Sequence, residues 1–252
     1  MHHIFSRVGQ RPIFHAARMG KLILRVDDCG WTPDKADDRG LAYFREWRDA
    51  FGIAGCPVYY GFIPTTLGVR ELAWLVDNLT AEEVVSVHGW DHERGPVSAE
   101  RMHLALDLFR GASLSPAYYP TYIPPVNAYD HQTRSDWRNA GFFTGRHGGT
   151  RAQAVFFGGF HDDAQSLDFG PDPAIVCTGL LHIPAFKPLY ERAGPILERL
   201  PQYLDCPYPL VVTLHATWDA KNLAALRPLR DALAPHLVTV EEALKWTQRK
   251  NG

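Results

Sequence analysis

Lys21-Leu-Ile-Leu-Arg-Val-Asp-Asp-Cys-Gly30 is the stretch around which the chain is organised. An apolar run, Leu22 to Val26, ends in two adjacent carboxylates, Asp27 and Asp28, then a cysteine and a turn-forming glycine. Neighbouring like charges repel, and neither helps a strand to pack. At the exit of a buried strand such a pair points to a nearby cation or a shared proton. The plainer alternative is two turn caps before Gly30.

Working outward, further strand patterns run over Val58 to Ile63, Val84 to Val87, Ala117 to Ile123, Ala174 to Leu181 and Pro209 to Leu214, with a strand-like Phe142-Phe143. Helical spacing covers 40–52, 69–79, 99–111, 130–140, 188–203, 221–234 and 240–249. Residues 145–173 are rich in Gly, His and Asp without clear periodicity and read as a long excursion. Strands alternating with helices roughly every 30 residues imply a parallel α/β sheet. Near-continuous apolar strands imply that both its faces are covered, as in a barrel. At 252 residues the chain fits one such domain over 21–252, with 1–20 as a polar lead-in.

A hydrophobic share of 46% and a net charge of −2, with no long run of either sign, offer nothing to nucleic acid or an anionic membrane surface. Four scattered cysteines without a C-x-x-C make neither a zinc knuckle nor a disulfide framework. No stretch reads as a signal peptide or a membrane span, so a cytoplasmic location is the expectation.

The polar outliers share a position. Asp27 and Asp28, His88, Tyr122 with Pro124, and His215 each lie at the C-terminal end of a strand pattern, the face on which α/β barrels build active sites. His88-Gly-Trp-Asp-His92 spaces two imidazoles four apart, which would put them on one face of a helical turn to grip a metal ion. No Glu follows the first His, so the motif lacks a zincin-type base. Two imidazoles and one carboxylate make a facial triad with positions left open for water and substrate.

Asp27-Asp28, the pair His88 and His92, and Leu214-His215 at the end of the last long strand occur in the order of the polysaccharide deacetylase family, the NodB-homology domain. The chain resembles a divergent member over roughly residues 21–245. The resemblance implies a distorted (β/α) barrel of about seven parallel strands. It also implies a divalent metal, foremost Zn²⁺ with Co²⁺, Mn²⁺ or Ni²⁺ as alternatives, held by Asp28, His88 and His92. Asp27 then stands at the family's general base and His215 at its general acid, in hydrolysis of an N-acetyl or related acyl group.

The third motif departs from the family. Where the family carries an arginine that pairs with the base, this chain has Tyr122-Ile-Pro-Pro-Val-Asn127. Arg25, two residues before Asp27 and so on the same side of the strand, is one replacement. Hydrogen bonds from Asn127 and Tyr122 are the other. Trp31, Trp90 and Trp218 trail the motif residues and offer aromatic faces to a sugar ring. His182 also ends a strand pattern and rivals His215 for the acid role. His161-Asp162-Asp163 reads as solvated loop, and Cys29 as a buried small residue.

The expected function is a metal-dependent hydrolase that removes an N-acetyl or related acyl group from an amino sugar or short glycan. The rivals are a small-molecule amidase on the same barrel and a catalytically silent carbohydrate-binding barrel. The expected partner is a carbohydrate or small acylated amine.

Overall fold

The computed structural model describes residues 21–32, 40–52, 55–93, 97–114, 121–127, 154–157, 174–177, 180–183, 185–206, 209–220, 222–240 and 242–243. The lead-in 1–20, the helix at 130–140, Phe142-Phe143, His161-Asp162-Asp163 and the last helix beyond residue 243 lie outside them.

The elements in chain order are β1 (Leu22–Cys29), α1 (Gly40–Phe51), β2 (Val58–Phe62), α2 (Val69–Asn78), β3 (Glu83–Val87), α3 (Ala99–Gly111) and β4 (Thr121–Tyr122). They continue with β5 (Ala154–Phe156), β6 (Ala174–Cys177), β7 (Leu180–His182), α4 (Ala193–Arg199), β8 (Leu210–His215), α5 (Ala216–Asp219) and α6 (Leu226–Leu233). One sheet runs in the order β6-β7-β5-β4-β3-β2-β1-β8. All neighbouring strands are parallel except β6 and β7. This is the expected α/β architecture of a distorted (β/α) barrel. Its regular part is narrower than the seven strands expected. β1, β2, β3 and β8 run for five residues or more, whereas β4, β5 and β7 contribute only two or three each.

Local chemistry accounts for the boundaries. Trp47 and Phe51, four apart on α1, stack at 4.8 Å and face the core together. The Ser98 side chain accepts from the Arg101 N–H and starts α3 where the sequence places it. The helix expected over 188–203 is instead a 3₁₀ turn at Lys187–Leu189, then α4, then a 3₁₀ turn at Leu200–Gln202. Pro188 and Pro201 lack the N–H that a continuous helix needs. The strand expected over 174–181 is two antiparallel strands, β6 and β7, with Gly179 between them in the sequence. The expected excursion over 145–173 contains β5. The helix expected over 221–234 is divided into a 3₁₀ turn at Leu223–Ala225 and α6, and a short helix not expected from the sequence, α5, precedes it.

Strand alternation splits the core in two. Leu22, Leu24 and Val26 join Val58, Tyr60, Leu210 and Val212 on the helix-covered face, with Phe44, Trp47 and Leu229 in the same cluster. Ile23 faces the other way, with Tyr59, Ile123, Phe157, Ile183 and Val211. Arg25 and Asp27 continue that second face of β1, so a charged pair sits on the inner side, next to the smaller apolar cluster.

Candidate active site

A regular continuation of β1 would turn Asp28 away from Asp27. The register against β2 shifts between Val26 and Cys29, and Asp28 takes a left-handed backbone with φ 57°. Such an irregularity re-aims a side chain, and Asp is among the few residues that tolerate this conformation. The two carboxylates consequently have separate partners.

Asp28 Oδ1 lies 3.0 Å from His88 Nε2 and 3.0 Å from His92 Nε2. Burial opposes ionisation of Asp28, but the hydrogen bonds from His88 and His92 outweigh it and hold the carboxyl well below its ordinary range. His88 follows β3, and its Nδ1 donates to the Ile123 carbonyl at 2.8 Å, which leaves Nε2 as the nitrogen facing Asp28. Burial opposes protonation of His88, yet the bond to Asp28 and the charge of Asp27 raise its pKa on balance. Gly61 makes room for this imidazole, since a Cβ there would meet His88 Cβ at 3.1 Å.

His88 and His92 do not share a helical turn as the spacing predicted. Residues 88–92 form a loop bent by Gly89 at φ 74° and His92 at φ 63°. A Cβ on Gly89 would also meet Pro125 Cγ at 2.8 Å, so two constraints favour glycine there. The loop brings the imidazoles together all the same. One ligand atom from each of Asp28, His88 and His92 lies within 4.8 Å of the others. A carboxylate oxygen with two imidazole nitrogens, one of them fixed by a carbonyl on its far nitrogen, is a donor set that fits Zn²⁺ and its neighbours.

Asp27 belongs to the other half of the site. Arg25 Nε donates to its Oδ1 at 2.7 Å and Arg25 Nη2 to its Oδ2 at 2.5 Å, while Nη1 reaches the Phe157 carbonyl at 3.3 Å. Of the two replacements expected for the third-motif arginine, Arg25 is the one bonded to both oxygens of Asp27. His215 stands opposite Asp27 in the β1–β8 register, with Nε2 3.9 Å from Asp27 Oδ2. Burial lowers the His215 pKa, against the pull of Asp27 and Asp28.

The ring of His215 is tightly enclosed. Trp218 stacks on it at 3.6 Å with the planes 13° apart, and the Tyr190 ring meets it edge-on at 4.9 Å. Tyr190 Oη lies 3.0 Å from His215 Nε2. Sequence reading missed Tyr190. It follows a 3₁₀ turn and joins the sheet through an isolated bridge to Thr213, so no strand periodicity marks it.

The three tryptophans differ in their surroundings. Trp31 stacks on His92 at 4.2 Å, as Trp218 does on His215, so one face of each indole is already covered by an imidazole. Trp90 is half-buried against the main core, and its carbonyl accepts from Thr65. Tyr122 is buried on β4 opposite Val87, and burial pushes its phenol up. The Pro124 carbonyl accepts from the Asn127 N–H at 3.1 Å. Asn127 is buried with neither side-chain amide atom bonded among the described residues, and it and Val126 are both left-handed, at φ 53° and 52°. His182 closes β7, in backbone register with Phe156. Cys29 is fully buried, and burial together with Asp27 and Asp28 raises its thiol far from reactivity.

No protein-family model and no curated protein sequence matches the chain. Solved structures do. A proposed polysaccharide deacetylase from Mycobacterium smegmatis aligns with a TM-score of 0.60 at 15% identity, over 92% of this chain and 91% of that one. A family 4 acetyl xylan esterase from Clostridium thermocellum, in complex with a cobalt ion, aligns at 0.51 and 12%, over 89% and 90%.

The fold is that of the polysaccharide deacetylases.

A CE4 family pseudoenzyme from Bacillus anthracis shares it too, with a TM-score of 0.52 at 12% identity over 90% of this chain and 66% of that one. The polysaccharide deacetylase fold therefore occurs with and without activity, and the residues at the strand ends have to carry the functional argument. Among the described residues no helix is long and apolar enough to cross a membrane.

Proposed function

We propose that this protein is a metal-dependent hydrolase that removes an N-acetyl or related acyl group from an amino sugar or short glycan, on one barrel domain over 21–252. The observation that supports it most is the division of labour between two adjacent carboxylates. Asp28 is committed to two imidazoles and Asp27 to an arginine and a third imidazole.

Asp28, His88 and His92 hold a divalent ion in this reading, with Zn²⁺ the first choice. Such an ion supplies Lewis acidity toward the acyl carbonyl and the attacking water. Asp27, kept in place by Arg25, takes the proton of that water. His215 faces the same space through Nε2, where it stabilises developing negative charge and delivers a proton to the departing amine. The faces of Trp31 and Trp218 turned away from the imidazoles are the apolar walls assigned to a sugar ring.

A silent carbohydrate-binding barrel is the second reading, favoured by the pseudoenzyme with this fold. The test is metal content by elemental analysis together with acetate release from N-acetylated amino sugars, on wild type and His88→Ala in parallel. About one equivalent of a transition metal in wild type, lost together with acetate release in His88→Ala, is the expected result. Acetate release that survives chelation would overturn the metal role, and sugar binding without acetate release would favour the silent barrel.

A further inference from the structure

We propose that Tyr190 relays the proton between His215 and the leaving group, an assignment that rests on the hydrolase reading above. His215 can exchange a proton usefully only through Nε2. Its Nδ1 is buried without a hydrogen-bond partner among the described residues, and Trp218 covers one face of the ring. Two described groups border Nε2: the Asp27 carboxylate at 3.9 Å and the Tyr190 hydroxyl at 3.0 Å. Of these three residues, His215 is 3% exposed and Asp27 1%, whereas Tyr190 is half-buried. Of the two groups beside Nε2, the hydroxyl is thus the one carried by a residue that is not fully buried.

Tyr190 is suited to pass a proton without keeping a charge. Burial pushes its phenol well above the ordinary tyrosine range, with Asp27 adding to the effect, so it remains O–H throughout. When the carbon–nitrogen bond of the acylated amine breaks, its electron pair goes to nitrogen. The Tyr190 O–H proton moves to that nitrogen, and the Nε2 proton of the His215 imidazolium moves to the tyrosine oxygen. His215 ends neutral, Tyr190 ends as it began, and one proton has crossed to the amine.

Tyr190→Phe tests this because it keeps the ring that packs on His215 and Trp218 and deletes only the hydroxyl. The readout is kcat on two acyl donors, an N-acetyl amino sugar and 4-nitrophenyl acetate. An amine must be protonated to leave and a nitrophenolate need not. The expected result is a loss of about 10²-fold in kcat on the amide with KM little changed, about tenfold or more larger than the loss on the ester. The loss should vanish in a His215→Ala background. In the metal-free protein, the ¹⁵N resonance of His215 Nε2 should shift on losing the hydroxyl.

Equal losses on both donors would reduce Tyr190 to a structural support, and no loss on the amide would remove the relay while leaving the hydrolase reading intact. A wild type that releases no acetate from any acylated amine would overturn the hydrolase reading itself. If Tyr190→Phe does not fold, a proton inventory in mixed H₂O and D₂O on wild type decides the matter. Two protons in flight on the amide support the relay and a single proton overturns it.

Discussion

Arg25 grips both carboxylate oxygens of Asp27 from two residues earlier on the same strand. Their side chains are 0% and 2% exposed, so the pair has left water almost completely. Burying two charges is costly, and their attraction and hydrogen bonds offset that cost only while both are present.

Removing one partner therefore exposes the full desolvation penalty of the other. Arg25→Met should destabilise the fold by about 3–5 kcal/mol. Adding Asp27→Asn to Arg25→Met should recover a large part of that loss, because the orphaned charge is gone. Urea unfolding of the two variants checks it, and a double variant no more stable than the single would contradict the pair as described.

Gly61 is the floor beneath His88. A methyl at this position must displace the imidazole by a few tenths of an ångström, since His88 Cβ and Cγ lie 3.1 and 3.2 Å from where it would be. Gly61→Ala should weaken transition-metal binding by about 10–100-fold, the range seen when support around a ligand is disturbed. Competition with a chromogenic chelator measures it. The fold should survive, because only the inner end of one side chain has to shift.

Trp218 keeps water from His215. Trp218→Ala should raise the His215 pKa toward the ordinary histidine value, since burial is the largest cause of its depression. An NMR titration of the imidazole reads this directly. An unchanged pKa would mean that the remaining walls exclude water without the indole.

Asp219 carries a pH signature in stability. It accepts from Trp47 Nε1 at 3.2 Å and from the Ala193 N–H at 2.9 Å, tying α5 to α1 and to the start of α4. Burial raises its pKa to about 6 despite those bonds. The folded state thus binds this proton more tightly than the unfolded chain. Its contribution is fully present below the unfolded value near 3.8 and is lost as pH rises through about 6. Asp219→Asn cannot ionise, so its stability relative to wild type should improve by about 2 kcal/mol between roughly pH 4 and pH 7.5. Thermal melts of both proteins across that range test the sign.

Much of this site is legible in the sequence because barrels place chemistry at strand ends. Asp27, His88 and His215 could be found from the apolar runs that precede them, and Arg25 from the period of two along β1. The conformation of the site was less readable. The left-handed backbone of Asp28 and His92 is a local choice that tertiary partners enforce, and spacing alone suggests a helical turn for His88 and His92. Tyr190 and Asp219 act across the fold on elements that contribute no repeating pattern. The tryptophans were visible as aromatic residues, but not that two of them would lie against histidines.

The Arg25–Asp27 pairing also changes what the loop after β4 is needed for. A carboxylate whose counter-charge comes from a distant loop depends on that loop for its orientation. Here the two form a three-residue cassette, Arg25 to Asp27, carried entirely by β1. The loop after β4 is then released from supplying a counter-charge, though the Ile123 carbonyl still orients His88, and the cassette is portable: grafted into another barrel of this fold, it would bring its own anchor.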